Sequence, residues 1–307
     1  MDGELREDLA AAGVEVLVRP LAVMRRASMS PGGLARIGGA LARDAGGLGR
    51  LARARGAALV HTNTSVTLDG SAVTQIARIP HVWHLREIYT GFERYWPAYR
   101  RLLLSADALP CVSAATCTQF GGDARALVVH DGLALAPARA PRSAARAALG
   151  LPDDAFVCAI LGRISTWKGQ DVLIRALADP ALASAGAIAL VAGDPWQGEH
   201  GRLRELHELA AQLGVTERVR FCGFRADVEN VYGAADVVCV PSTQPDPLPN
   251  AALARVHADP ELRERLGAAA AADVRERFAP ERLLARIQGL YDDVVERRHG
   301  GTPHVTF

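Results

Sequence analysis

The sequence predicts an α/β protein built from two doubly wound, parallel-sheet domains, and three observations carry that expectation. Helix-like and strand-like segments alternate along almost the whole chain. The strand candidate Phe156–Leu161 is a continuous apolar run rather than an alternating one, which suits a parallel strand covered on both faces. At 307 residues, a scale of roughly 150 residues per domain gives two cores.

In chain order, Leu5, Leu9 and Ala12 mark a first amphipathic helix, and Gly13-Val14-Glu15-Val16-Leu17-Val18 reads as the strand after it. From Leu34 to Arg53, one face carries Leu34, Ile37, Leu41, Leu48 and Leu51, while Arg36, Arg43 and Arg50 recur every seven residues. This is a basic amphipathic helix. Gly38, Gly39, Gly46, Gly47 and Gly49 each cost up to ~1 kcal/mol against alanine there, so we expect an ordinary covering helix with a break. Its basic face leaves open a peripheral contact with an anionic membrane. The glycine pairs are not a dinucleotide fingerprint, because no strand feeds into them. Strands follow at Ala57–His61, at Pro80–Leu85 after the segment Ser71–Arg78, at Ala108–Val112 and at Arg125–Gly132. Residues 133–147, rich in Ala and Pro, read as the interdomain linker. We therefore expect a first domain over residues 1–141, a second over 142–279, and a C-terminal helix and tail over 280–307. The second half continues with helices near 143–149, 170–178, 200–213 and 226–233, interleaved with strands, and ends in a long helix over Pro280–Arg297.

Composition narrows the function. Hydrophobic residues make up 49% of the chain and charged ones 22%, as in a soluble globular protein. A formal net charge of +1 and an aromatic content of 5% argue against nucleic acid as a partner. No apolar run approaches the ~20 residues of a membrane span, and the acidic start Met1–Asp8 is unlike a signal peptide, so a cytoplasmic location is expected. Five cysteines, at 111, 117, 158, 222 and 239, include no Cys-x-x-Cys pair, which disfavours a zinc or disulfide framework. Four of them lie in apolar strand-like runs and read as core packing.

The most informative stretch is Leu161-Gly162-Arg163-Ile164-Ser165-Thr166-Trp167-Lys168-Gly169-Gln170, directly after the apolar strand. Arg163 and Lys168 would project from a loop that ends at a helix entry. A guanidinium fork, a flexible ammonium and free N–H groups suit a diphosphate. Taken alone, the same residues also fit a solvated surface loop. His84 follows a strand beside Arg86 and Glu87; by itself it reads as a structural hydrogen-bonder, and the adjacent charges as a solvated pair or an acceptor contact. His81 and His84, three apart on a strand, point to opposite faces, so no metal is expected. Asp246 sits in the proline-rich turn Thr243–Asn250, where its ordinary reading is turn chemistry.

The Gly-Arg…Lys-Gly loop resembles that of the retaining nucleotide-sugar glycosyltransferases of glycosyltransferase family 4. Other stretches match in order: Val191-Ala192-Gly193-Asp194, Val219–Phe224 and Ala234–Ser242 are similar to successive donor-domain elements, and Val60–Asn63, Pro80–Glu87 and Ala106–Ser113 to the N-terminal domain. The resemblance implies a GT-B fold, two Rossmann-like domains facing a cleft, with the last helix folding back on the first. It implies transfer of a sugar from a nucleotide-diphosphate donor to a glycan, lipid-linked or small-molecule acceptor with retention of configuration. No metal or other cofactor is expected. Gly162, Arg163, Lys168 and Asp194 would bind the donor, and His84, Arg163, Lys168 and Asp246 would carry the chemistry.

Two departures from the family pattern accompany it. Members usually open with an apolar strand and a glycine-rich turn, whereas this chain proceeds directly into an amphipathic helix. The family's second donor acid falls on Ala254, and Arg255–Leu262 resembles a segment found on the order of 40 residues later, about one βαβ unit. Both domains are thus expected to be incomplete. The neighbours of a missing central strand would have to be re-paired, covered or joined to a second copy. Two further readings stay open: an inactive sugar-nucleotide-binding remnant, and another GT-B enzyme such as a sugar-nucleotide epimerase.

Overall fold

The computed structural model describes residues 4–24, 28–89, 93–132, 139–195, 200–243, 261, 264–269 and 278–298. The chain divides into two compact units: Met1–Leu133 with Arg277–Phe307, and Ala134–Glu276. Both are parallel α/β structures.

The first unit begins with α1 (Glu4–Ala11) and α2 (Pro31–Ala54). It continues with β1 (Val60–Thr62), α3 (Asp69–Ala77), β2 (His81–Trp83), α4 (Trp96–Leu103), β3 (Leu109–Cys111), α5 (Ala114–Thr118) and β4 (Ala126–Val128). β1 pairs with β2 and β3 with β4, all parallel, and bridges Val82↔Ala108 and Leu85↔Cys111 join the two pairs. Successive residues of β2 feed opposite faces, as a pleated strand requires. Trp83 packs with Leu85, Tyr99, Leu103, Leu109 and Phe120, and Ile37 and Leu41 of α2 lean on that cluster. Val82 packs with Ala108 and with Leu290 and Val294 of the last helix, Pro280–Arg298.

The structure changes two expectations here. Val14–Val18 is not a strand: it is irregular chain without a ladder partner among the described residues, with Val14, Leu17 and Val18 50%, 51% and 58% exposed. A largely apolar segment cannot form a strand where no neighbouring backbone offers hydrogen bonds. α2 also runs unbroken for 24 residues despite its glycines. Ser30 caps it, the hydroxyl accepting from Gly33 N at 3.1 Å, with Pro31 in the first turn. Packing on α3 recovers what the glycines cost, since a Cβ at Gly49 would lie 2.6 Å from Ile76 Cγ2.

The second unit comprises α6 (Arg142–Ala148), β5 (Val157–Leu161), α7 (Gln170–Ala176), α8 (Pro180–Ser184), β6 (Ile188–Ala192), α9 (His200–Gln212), β7 (Val219–Gly223), α10 (Val228–Ala234) and β8 (Val237–Val238). α6 thus occupies the end of the segment read as linker. The sheet is parallel in the order β7-β6-β5-β8. Cys158 and Ile160 face one core with Leu173, Ile174 and Leu206; Val157 and Ala159 face the other with Leu190 and Val231. The continuous apolar run of β5 is therefore used on both sides.

A buried ion pair locks this unit. Arg146, fully buried, donates to Ala234 O, Pro152 O and Asp153 O, and its Nη2 reaches Asp236 Oδ2 at 2.9 Å. Asp236 also accepts from Val157 N at 2.8 Å and Arg142 Nη1 at 2.5 Å. Burial pushes the Asp236 carboxyl up, but these hydrogen bonds and the two guanidinium charges outweigh it and hold it below its ordinary range. Losing one partner of such a pair typically costs ~3–5 kcal/mol.

Candidate functional site

In a parallel sheet ordered β7-β6-β5-β8, the chain leaves β5 toward β6 and returns on its other side as β8. The point of reversal lies between β5 and β8, and ligands of such sheets bind beyond the carboxyl ends of the strands there. The loop after β5 is the Gly162–Gly169 segment. It is fastened to the loop after β8: Thr243 N donates to Trp167 O at 2.9 Å, and Gly169 lies against Pro241. Gly169 adopts φ +76 as the N-cap of α7, and a Cβ there would lie 1.9 Å from Pro241 O. Only glycine fits that conformation and that gap. Gln170, fully buried, donates from Nε2 to Arg163 O at 3.1 Å and so fixes the backbone beneath the arginine.

The loops after β5 and β6 are tied as well. Ile164 N donates to Asp194 O at 3.0 Å, and Gly193 N to Gly223 O at 2.7 Å. The Gly193 and Gly162 backbones approach so closely that a Cβ on Gly193 would meet Gly162 O at 2.2 Å. Beyond these strand ends opens a cavity of about 440 Å³ lined by Leu161, Gly162, Arg163, Ala192, Gly193, Asp194, Pro195, Phe224, Arg225 and Val228. That is the size and the mixed lining of a small-ligand site.

Gly162, Arg163 and Asp194 thus come together around one cavity. Lys168 is not among its lining residues; its Nζ stands 4.4 Å from the Trp167 ring centroid in a cation–π contact. Asp246 and Ala254 lie outside the described residues. Sequence reasoning missed Gln170, Arg225 and Phe224. Phe224 is 75% exposed, an unusual place for a large apolar ring, but only the fold shows that it borders the cavity.

His84 lies in the first unit, just past β2. It is buried, its N donates to Thr62 O at 2.8 Å, and its ring centroid is 5.6 Å from that of His61. Burial, then the neighbouring His61 and Arg86, lower its pKa to about 4, against opposing pulls from Asp131 and Glu87. The imidazole is therefore neutral at pH 7, able to share a hydrogen bond but not to serve as a resident cation. Arg86 and Glu87 are not a pair with each other through their side chains. The Arg86 guanidinium grips Asp131 with two nitrogens and Asn63 Oδ1 at 3.2 Å. Glu87 accepts from Thr64 Oγ1 at 2.7 Å, from Ser65 N and Oγ, and from Arg86 N. His81 turns away to Thr62 Oγ1 at 2.9 Å. Among the described residues no group of three or more His, Cys, Asp or Glu could hold a metal ion, and no helix is long and apolar enough to cross a membrane. All five cysteines are free; burial pushes the Cys111 thiol up, and a hydrogen bond to Cys239 with burial does the same for Cys158.

Residues 141–255 match the family model described as glycosyl transferases group 1. The chain is 47% identical over 108 residues to a D-inositol 3-phosphate glycosyltransferase of Saccharomonospora viridis, a stretch that is 33% of this chain and 25% of that one. It is 44% identical over 132 residues to the enzyme of that name from Salinispora arenicola, covering 38% and 29%. The matches thus span less than a third of these relatives' lengths. In three dimensions, 95% of the chain superposes on 90% of Anabaena Alr3699/HepE in its complex with UDP and glucose, with a TM-score of 0.75 and 25% identity. The fold is also like that of sucrose-phosphate synthase from Thermosynechococcus elongatus, with a TM-score of 0.66, 20% identity and coverage of 82% and 77%. The fold is that of the GT-B glycosyltransferases, and the match to the group 1 glycosyltransferase model falls within the second unit.

Proposed function

We propose that this chain, bearing a group 1 glycosyltransferase domain, transfers a sugar from a nucleotide-diphosphate donor to an acceptor hydroxyl with retention of configuration, as in glycosyltransferase family 4. The observation that carries the reading is the cavity beyond the carboxyl ends of β5, β6 and β7, where Gly162, Arg163 and Asp194 converge beside the switch-point loop Gly162–Gly169. In the reaction the bond between the anomeric carbon and the diphosphate oxygen breaks, the acceptor oxygen bonds to the same face of that carbon, and the departing diphosphate takes the acceptor proton. Negative charge grows on the leaving oxygens. Arg163, fixed through its carbonyl by Gln170, and Lys168, the mobile partner, stabilise that charge, the kind of electrostatic contribution that often dominates a barrier. Asp246 bears on the donor sugar. His84, neutral and buried, shares a hydrogen bond with a sugar hydroxyl.

UDP-sugars are the donors to try first, because the Anabaena protein of similar fold was crystallised with UDP-glucose. The acceptor is a glycan, a lipid-linked sugar or a small polyol; the name shared by the matched relatives favours inositol phosphate as the first probe. A second reading, a sugar-nucleotide binder without turnover, is favoured by Ala254, which stands where the family carries its second donor acid.

The test is thermal unfolding of the chain with UDP, GDP, ADP and their sugar derivatives, followed by product analysis with the nucleotide that binds. Ligand at 100 times its dissociation constant stabilises by ~2.7 kcal/mol. The transferase reading expects one nucleotide to raise the transition and an α-configured donor to give an α-linked product. Stabilisation without product selects the second reading, and no stabilisation by any nucleotide overturns both.

A further inference from the structure

His61 of β1 and His84 stand side by side with their rings tilted by 51°, and both Nε2 atoms are buried with no hydrogen-bond partner. The other nitrogen of His61, Nδ1, is hydrogen-bonded to Tyr291 Oη, and the tyrosine ring meets the imidazole edge-on at 5.7 Å. Tyr291 belongs to the last helix, here α11 (Pro280–Arg298), and neighbours Leu290, which anchors that helix on Val82 and Ala108. A residue 230 positions later in the chain therefore fixes the ring against which His84 rests. The charged and titratable groups around His84 come from four places: His61 on β1, Arg86 and Glu87 after β2, Asp131 after β4, and Tyr291 on α11 through His61. Two imidazoles so close and so poorly hydrated cannot both carry charge. Held in place, His61 excludes water from one side of His84; released, it would admit water and let His84 recover its affinity for a proton.

We propose that Tyr291 and His61 are positioning residues for His84: α11, through Tyr291 Oη on His61 Nδ1, keeps the His84 imidazole neutral and in one orientation for its hydrogen bond to substrate. The inference rests on the reading of His84 as a sugar-facing residue, and it adds a control element at the far end of the chain.

The experiment uses the full chain and three variants. Tyr291→Phe removes one hydroxyl and keeps the ring. His61→Ala removes the imidazole, and His61→Asn keeps a polar atom near the position of Nδ1. Each is titrated by NMR with ¹³C-labelled histidine, and kcat and KM for the nucleotide sugar are measured against pH. His84 is expected to titrate near 4 in the parent chain, higher in Tyr291→Phe, higher still in His61→Ala, and partly restored in His61→Asn. At neutral pH kcat is expected to fall about tenfold in Tyr291→Phe, with the dissociation constant of the free nucleotide unchanged because the cavity of Gly162, Arg163 and Asp194 lies in the other unit. A folded Tyr291→Phe in which His84 titrates as in the parent overturns the proposal, whatever its kcat. The titration needs no turnover: if it moves while no nucleotide sugar is ever consumed, the support of His84 stands and the transferase reading falls.

Discussion

Arg163 and Lys168 lie five positions apart on one loop and have different surroundings. The arginine borders the cavity over a carbonyl held by Gln170, whereas the lysine ammonium is parked on Trp167. Neither supports a core, so Arg163→Ala and Lys168→Ala are expected to lower turnover by about 10²–10³-fold each while leaving the unfolding temperature within a degree or two of the parent; wild-type rates in both exclude the assigned role. Histidine gives a prediction of its own sign. Burial holds His81 and His84 neutral, each with its pKa lowered to about 4. The unfolded chain takes up these protons first, so their contribution is complete above the ordinary imidazole value and is lost as pH falls from ~6.5 toward 4, up to ~3 kcal/mol for each. Urea unfolding at pH 7 and pH 5 should show the decline, and His81→Gln should flatten it; a parent protein equally stable at both values contradicts the assignment. The cationic loop was legible because Gly, Arg, Lys and Gly keep their order after an apolar strand. Phe224, Arg225 and His61 were not, because their importance depends on neighbours far away in sequence.

At the scale of elements, the loop after β5 works only if it lies flat on the loop after β8. Gly169→Ala would combine a left-handed backbone with a Cβ driven into Pro241 O. A loss of at least ~2 kcal/mol is expected, together with weakened nucleotide binding, read by thermal unfolding with and without ligand. Unchanged stability would mean that the two loops are not packed as described. Strands with continuous apolar runs, such as β5 and β6, were the easiest to read, since burial on both faces leaves no other use for such a run. Val14–Val18 has similar local character and is no strand, because pairing depends on a neighbouring backbone and not on propensity. α2 departed in the other direction: the five glycines from Gly38 to Gly49 argued for a break, but the cost of each is small beside the packing of a 24-residue helix on α3.

At the scale of the whole molecule, each unit has its own two-sided core. All residues lining the candidate donor cavity belong to the second unit. Calorimetry should therefore resolve two transitions, with a bound nucleotide raising chiefly one of them by ~2.7 kcal/mol at 100 times its dissociation constant; a single transition that moves as a whole would contradict independent cores. The α/β class was legible from the alternation of segments alone, since that property survives errors at single elements. The return of residues 277–307 to the first unit left no comparable trace in composition or period, and was expected only from resemblance.

That return makes the first unit a discontinuous one, closed by the last helix, and gives its assembly a schedule. Val82 and Ala108 leave the ribosome early, but Leu290 and Val294, which cover them, follow about 180 residues behind. At ~5–20 residues per second this apolar face waits roughly 10–40 s for its cover. The second unit, encoded without interruption, can complete itself during that interval. A nascent chain paused before residue 280 should thus hold a finished second unit beside an unfinished first one, and it is the unfinished unit that chaperones would be expected to guard.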